Sequence, residues 1–256
     1  MNGVLHQRWL ADLVACIGFY TRVPIPRAVP LPDDFAAAQW AAPLAGLVAG
    51  GIGGTFLWFG HLAGPPAELA AALSLASMLL ATGCFHEDGL GDVCDGFGGG
   101  NTAERKLEIM RDSRIGTFGM CGLTLSLLAR WAAITALATV SISSAILAIL
   151  AAHMAARAPM ALFMHVVPAA RTTGLSAKLG DAKAWPALLS LGIGLVSLLV
   201  LGPSAAITAM ACLAIWFMAL RALCLRQIGG HTGDVLGTLE QGGEIVILFI
   251  ACIFLA

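Results

Sequence analysis

Charge is scarce in this sequence. Only 11% of its 256 residues are charged, against about 25% in a soluble domain. With 59% hydrophobic residues it cannot supply the polar shell that a water-soluble fold needs, so hydrocarbon must solvate much of its surface. A basic surplus is missing too. The net charge of −1 argues against nucleic acid as a partner, because binding phosphate backbones needs positive charge. Cys16, Cys84, Cys94, Cys121, Cys212, Cys224 and Cys252 form no Cys-x-x-Cys pair. They read as small apolar residues rather than a metal or redox centre. No basic tip with an apolar stretch and a small-residue cleavage site opens the chain, so no cleavable signal peptide is expected. No internal repeat or separate soluble domain stands out, and residues 1–256 read as one transmembrane catalytic domain.

What is abundant is long apolar runs. A membrane helix needs about 20 mainly apolar residues. Six candidates lie near 39–60, 67–85, 117–138, 143–167, 185–201 and 205–223, and a seventh near 234–256. The last ends in a wholly apolar stretch that would cover only about 18 Å, so its helix must begin earlier and take Glu240 and Glu244 into or near the membrane. The first 27 residues read as an amphipathic or partly inserted segment, ended by Arg22-Val23-Pro24-Ile25-Pro26, since proline cannot extend a helix. The expected fold is therefore all-α: a polytopic integral membrane bundle of about seven transmembrane helices plus an N-terminal amphipathic segment. Twelve of the 14 Lys and Arg residues fall in the N-terminal segment and in 86–116, 168–184 and 221–233. The positive-inside rule puts these segments in the cytoplasm and the C-terminus outside.

The chemistry gathers at 86–119. Asp88, Asp92 and Asp95 are spaced i, i+4, i+7 after Phe85-His86-Glu87, which puts them within about 60° of one another on a helix. Like charges there repel, and hard oxygen ligands at that spacing suit Mg²⁺ or Mn²⁺ and, through it, phosphate. An ordinary solvated helix end is the bland alternative, but aspartate is a poor helix former. Gly96, Gly98, Gly99 and Gly100 free the backbone to approach a phosphate. A short amphipathic helix follows, with Glu104, Arg105, Glu108, Arg111, Asp112 and Arg114. It is either a surface helix or a lid over phosphate groups. Arg130 and Arg157 lie inside apolar runs, with His153 one turn before Arg157. A charge at membrane depth costs a few kcal/mol and needs a partner, here the aspartates or an anionic substrate. Snorkelling or a structural ion pair is the plainer reading. In Gly229-Gly230-His231-Thr232-Gly233-Asp234, either Thr232 or Asp234 could cap the final helix. His231 could be a base, a ligand or a plain polar residue.

These motifs resemble the cobalamin synthase family, the adenosylcobinamide-GDP ribazoletransferases. The family's F-H-L-D-G-L-A-D-T-x-D-G is matched by Phe85 to Gly96, with Glu87 in place of leucine and Gly91 in place of alanine. Glu104 to Gly119 matches E-R-x-L-E-I-M-R-D-S-R-x-G-T-x-G, and Gly229 to Gly237 matches G-G-x-T-G-D-x-L-G. Phe19 to Pro26 matches F-x-T-R-x-P-x-P. The downstream glutamate falls on Glu244, whereas Glu240 falls where the family varies. Glu87 carries no family role.

The resemblance implies an Mg²⁺-dependent enzyme of the bacterial cytoplasmic (inner) membrane, with its active site facing the cytoplasm. It would join adenosylcobinamide-GDP to α-ribazole or its 5′-phosphate and release GMP, a late step of vitamin B12 assembly. Attack by the ribazole 5′-hydroxyl on the cobinamide-side phosphorus would expel GMP in line. The catalytic set is then Asp88, Asp92, Asp95, His86 and Glu244, with the three aspartates on the metal. Around the substrates stand Arg105, Arg111, Asp112, Arg114, Arg130, Arg157, His231, Thr232 and Asp234. The base is open among the aspartates, His86 and Glu244. Membrane lipid is a further partner, and a homo-oligomer stays open. Two other readings compete. A CDP-alcohol phosphatidyltransferase needs D-x-x-D-G-x-x-A-R, and the match breaks at Gly99-Gly100. A divalent-cation transporter would hold its carboxylates near the midplane on broken helices, not beside a long polar segment.

Overall fold

The computed structural model describes residues 2–26, 29, 32, 34–171 and 183–256, with residues 2–7 described by their backbone alone. Apart from a bridge between Ala169 and His231 and the 3₁₀ turns Gln39–Ala41 and Leu198–Leu201, the regular elements among them are α-helices. They are α1 (Asn2–Tyr20), α2 (Phe35–Ala38), α3 (Ala42–Ala63), α4 (Ala67–Thr82), α5 (Phe85–Gly99), α6 (Ala103–Ile109), α7 (Thr117–Val140), α8 (Ile142–Arg157), α9 (Met160–Val166), α10 (Ala184–Ser197), α11 (Pro203–Ile228) and α12 (Gly233–Leu255). Most of the basic connector expected at 168–184 lies outside the described residues.

Among the described residues, six helical stretches are long and apolar enough to cross a membrane: Phe35–Ala63, Thr117–Val140, Ile142–Val166, Ala184–Leu201, Pro203–Ile228 and Gly233–Leu255. They coincide with six of the seven expected spans. The remaining one is α4, which bends by 89° into α5, and the pair together makes the seventh. The cause of the bend is local. Gly83 (φ 65°) and Cys84 (φ 57°) are both left-handed. Gly83 caps α4 by donating its N–H to the Leu79 carbonyl, while left-handed Cys84 costs about 1–2 kcal/mol. The aspartate-bearing helix therefore lies across the direction of the span before it. The outer face is apolar, as a lipid-facing surface should be: Leu80, Leu125, Ile215 and Ile253 are 68–77% exposed. At the N-terminus α1 stops at Tyr20, ahead of the Pro24 and Pro26 breakers, and Trp40, in the turn just before α3, ties it down by donating from Nε1 to Asp12 at 2.9 Å.

Inside, small residues bring backbones together, the usual device where lipid removes the hydrophobic drive for helix pairing. Gly46 and Gly50 of α3 face His153, Ile149 and Leu150 of α8. A methyl group on Gly46 would strike the His153 carbonyl, a backbone atom that cannot yield alone. Gly46→Ala should therefore lower stability by about 1–3 kcal/mol, read as thermal unfolding in detergent. Gly51→Ala, with nothing within 4 Å of the new methyl, is the control and should melt at or slightly above wild type, since alanine is the better helix former. The hub of the bundle is α12, which packs on α5, α7, α8 and α11.

Candidate active site

Two glycines set the site. A methyl on Gly89 of α5 would lie 2.9 Å from the Asp234 Cα, and one on Gly237 of α12 would lie 3.0 Å from the His86 carbonyl oxygen. This close crossing brings Asp234, at the start of α12, beside the aspartate face of α5. Asp234 and Asp92 act on each other electrostatically, as do Asp92 and its neighbours Asp88 and Asp95. Thr232 caps α12 by accepting from the Val235 N–H at 3.3 Å, and its hydroxyl donates to Asp234 Oδ2 at 3.1 Å. Of the two residues that the sequence offered as cap, it is Thr232 that fills the role. His231 is buried; its backbone pairs with Pro168 and Ala170, and burial pushes its imidazole below the usual value.

The three aspartates of α5 share a face but differ in surroundings. Asp88 is exposed, Asp92 half-buried and Asp95 buried. Asp95 reaches the start of α7, where Gly116 N–H donates to its Oδ2 at 2.7 Å and Gly119 N–H to its Oδ1 at 2.8 Å. It thus satisfies backbone donors that a helix start leaves without partners. Asp88, Asp92, Asp95, Arg111, Asp112 and Arg114 line a cleft of about 330 Å³. A second hollow of about 640 Å³ adjoins it, with Arg105, Glu108 and Phe118 on its wall and Asp95, Asp112 and Arg114 in common. The Arg114 guanidinium, forked on Asp112 at 2.6–3.2 Å, holds that carboxyl down at about 2. Arg105 pairs with Glu108 at 2.7 Å. The expected short helix is α6, capped by Thr102. It ends at Ile109, so Arg111, Asp112 and Arg114 belong to the turn that follows.

Arg171 was not foreseen, because nothing in its local sequence marks it. Its Nη2 lies 3.8 Å from Asp234 Oδ2 and donates to the Leu107 carbonyl at 3.2 Å, which joins α6 to the start of α12.

Arg130, Arg157, Glu244 and His86 lie apart from the cleft's lining, in a cluster with Glu87, Glu240 and His153. Arg130 donates to Glu87 Oε1 and to Glu244 Oε2, each at 2.9 Å. Arg157 donates to Glu244 Oε1 at 3.1 Å and to the His153 carbonyl at 2.9 Å, and is paired with Glu240. Gln241 donates to Glu87 and Glu240 at 3.1 and 3.0 Å. The arginines at membrane depth thus have carboxylate partners, but these are glutamates rather than the aspartates of α5. Glu87 and Glu240, which the family pattern set aside, are two of the three. The signal was available: three glutamates and two arginines in apolar segments are mutual partners before any substrate is invoked.

Oxygen donors fit a hard cation. Among the described residues, however, the three metal-competent side chains found within 4.8 Å of one another are His153, Glu240 and Glu244. The aspartates of α5 are not drawn together to that degree, and Asp95 spends a lone pair of each oxygen on a backbone amide. Asp88 and Asp92 keep their oxygens toward the cleft. That suits Mg²⁺ in its usual manner, held by one or two carboxylates with substrate phosphates and water completing the shell.

Apolar helices closed around a charged core, with an acidic, arginine-bordered cleft at one end, define a multi-pass helical membrane protein. Comparison with known proteins narrows this. The family model described as cobalamin-5-phosphate synthase matches residues 12–252, and the chain belongs to that family. A Mesorhizobium japonicum protein named adenosylcobinamide-GDP ribazoletransferase is 47% identical over 100% of this chain and 98% of its own length. One of the same name from Bradyrhizobium diazoefficiens is 47% identical over 96% of this chain and 94% of its own. A third, from Ralstonia nicotianae, is 38% identical over 94% and 93%. No solved structure matches the chain.

Proposed function

We propose that the chain is an adenosylcobinamide-GDP ribazoletransferase. It joins adenosylcobinamide-GDP to α-ribazole or its 5′-phosphate with loss of GMP, and it does so at the cytoplasmic face of the bacterial inner membrane. The observation that carries this reading is the pairing of Asp88 and Asp92 with Arg111, Asp112 and Arg114 across one cleft, in a chain matched along its whole length by proteins bearing that name. Asp88 and Asp92 would hold Mg²⁺, which when bound neutralises diphosphate oxygens and eases departure of the leaving phosphate. Arg114 and Arg111 reach phosphate oxygens from the opposite wall, Arg114 by exchanging its fork on Asp112 for one on phosphate. Arg105 extends the basic wall into the adjoining hollow. Asp95 orders the start of α7 and with it the turn that carries the arginines. Asp234, steadied by Thr232 and Arg171, closes the acidic side. His231 holds the 229–232 turn against 168–170. The acceptor hydroxyl loses its proton to a carboxylate of this acidic wall, since Glu244 is committed to two guanidiniums. Transfer is then a matter of alignment and charge neutralisation.

The deciding experiment uses purified protein in detergent, supplied with adenosylcobinamide-GDP, α-ribazole and Mg²⁺. GMP should appear in step with the cobalamin product. GMP formed without the acceptor, or no GMP at all, would remove the reading. Orientation has its own test. With twelve of 14 basic residues on one set of connectors, a reporter fused after Ala256 should read as external, and an internal reading would invert the assignment of the cleft to the cytoplasm.

A further inference from the structure

An apolar groove of about 800 Å³ shares no residue with the cleft or its adjoining hollow. Its walls are α10, a stripe of α8 that includes Leu147, Leu150 and Met154, and Leu47 of α3. Two glycines of α10 shape it. Gly194 lets α10 close on α8, where a methyl would strike the Ala158 side chain. Gly192 lines the groove, and a methyl there would meet nothing within 4 Å. Along α10 the groove runs from Trp185 to Val200, about 22 Å at 1.5 Å per residue. One leaflet is about 15 Å of the hydrocarbon core, so the groove has the reach of an acyl chain.

At the Trp185 end, where the span begins, a hollow of about 330 Å³ continues the groove and shares Trp185 and Leu189 with it. Trp9 and Trp40 line it too, edge to face with ring centres 4.6 Å apart. Tryptophans gather at the level where lipid headgroups begin. The charges in the hollow fit one kind of headgroup. Lys183 is spent on Asp34 at 2.6 Å. Arg8 and Asp12 stand one turn apart on α1 and both line the hollow. Among the described residues neither is ion-paired, and buried Asp12 gives only Oδ2 to Trp40. A guanidinium can only donate and a carboxylate only accept, so this pair is answered by a ligand that carries both signs.

We infer that groove and hollow together bind one zwitterionic phospholipid of the phosphatidylethanolamine kind. Its acyl chain lies along α10 over Gly192, its phosphate meets Arg8 and its ammonium meets Asp12. An anionic phospholipid would meet Arg8 in the same way but would set Asp12 against a headgroup with no positive charge. The inference holds whatever reaction the cleft performs.

Native mass spectrometry of the full chain in detergent tests it, with phosphatidylethanolamine or phosphatidylglycerol of matched acyl chains added. Wild type should retain one phosphatidylethanolamine and hold it about tenfold more tightly than phosphatidylglycerol, the worth of one charge-assisted contact. Asp12→Asn keeps an acceptor for Trp40 and should erase that preference. Gly192→Phe fills the groove from a position with open space and should weaken both lipids. Its melting curve without added lipid should match or exceed that of wild type, since glycine is the poorer helix former. Gly192→Leu repeats the test with a smaller side chain if the ring lowers melting. Equal retention of the two lipids by wild type, or lipid retention unchanged in a folded Gly192 variant, would overturn the inference. So would a lipid-free wild-type dimer that Gly192→Phe splits, which would give the groove to a second copy of the chain.

Discussion

Asp92→Asn should abolish most turnover while the protein still inserts and melts normally. Asp92 lies at the middle of the acidic cleft, half-buried, with Asp88 one turn before it and Asp234 across from it. Asparagine keeps the size and removes the charge that a metal and a diphosphate require. Loss of metal-based charge stabilisation is worth several kcal/mol, so GMP release should fall about a thousandfold, equivalent to about 4 kcal/mol. Asp88→Asn should behave alike. Residues acting as one unit are not additive, so the double variant should be little worse than the poorer single one. Clean additivity in single-turnover GMP release would show that the two do not share a site. Asp95→Asn should differ in kind. Its amide would turn a donor toward the Gly116 or Gly119 N–H, and melting temperature as well as rate should drop.

Arg157→Met should fail by unfolding rather than by lost affinity. Arg157 is 1% exposed and is held by Glu244, Glu240 and the His153 carbonyl. Removing one partner of a buried pair leaves charge stranded, at about 3–5 kcal/mol. Lysine keeps the charge but cannot reach Glu240, Glu244 and His86 with one fork, so Arg157→Lys should lose part of that stability. Detergent melting together with binding of adenosylcobinamide-GDP decides the matter. A stable Arg157→Met protein that has lost only substrate affinity would return Arg157 to the cleft.

The helices were legible because lipid leaves so few ways to bury a backbone: a long apolar run has to be a helix. The shared face of Asp88, Asp92 and Asp95 was legible for the same reason, as a matter of spacing. The 89° turn before them was not, since it depends on Cys84 taking a conformation that side chains rarely adopt. Nor was the fate of Asp95, whose partners Gly116 and Gly119 lie more than twenty residues further on. The need of Arg130 and Arg157 for counter-charges could be read locally, but the choice among carboxylates rests on how α12 packs against α5, α7 and α8. Glu87 was discounted because the family pattern it was matched to has leucine there. In this chain it faces Arg130, and a departure from a family pattern is better weighed against the charges it can reach than against the pattern.

The distribution of the buried charges along the chain bears on how the protein is made. Arg130 and Arg157 sit on α7 and α8, whereas Glu240 and Glu244 sit on α12. Synthesis delivers α7 and α8 to the membrane well before α12. Until α12 arrives, the cluster's one carboxylate is Glu87, which pairs with Arg130, and a guanidinium at the depth of Arg157 is unfavourable without its own partner. The nascent bundle is therefore open and recognisable as incomplete, and insertion of α12 both neutralises it and closes it.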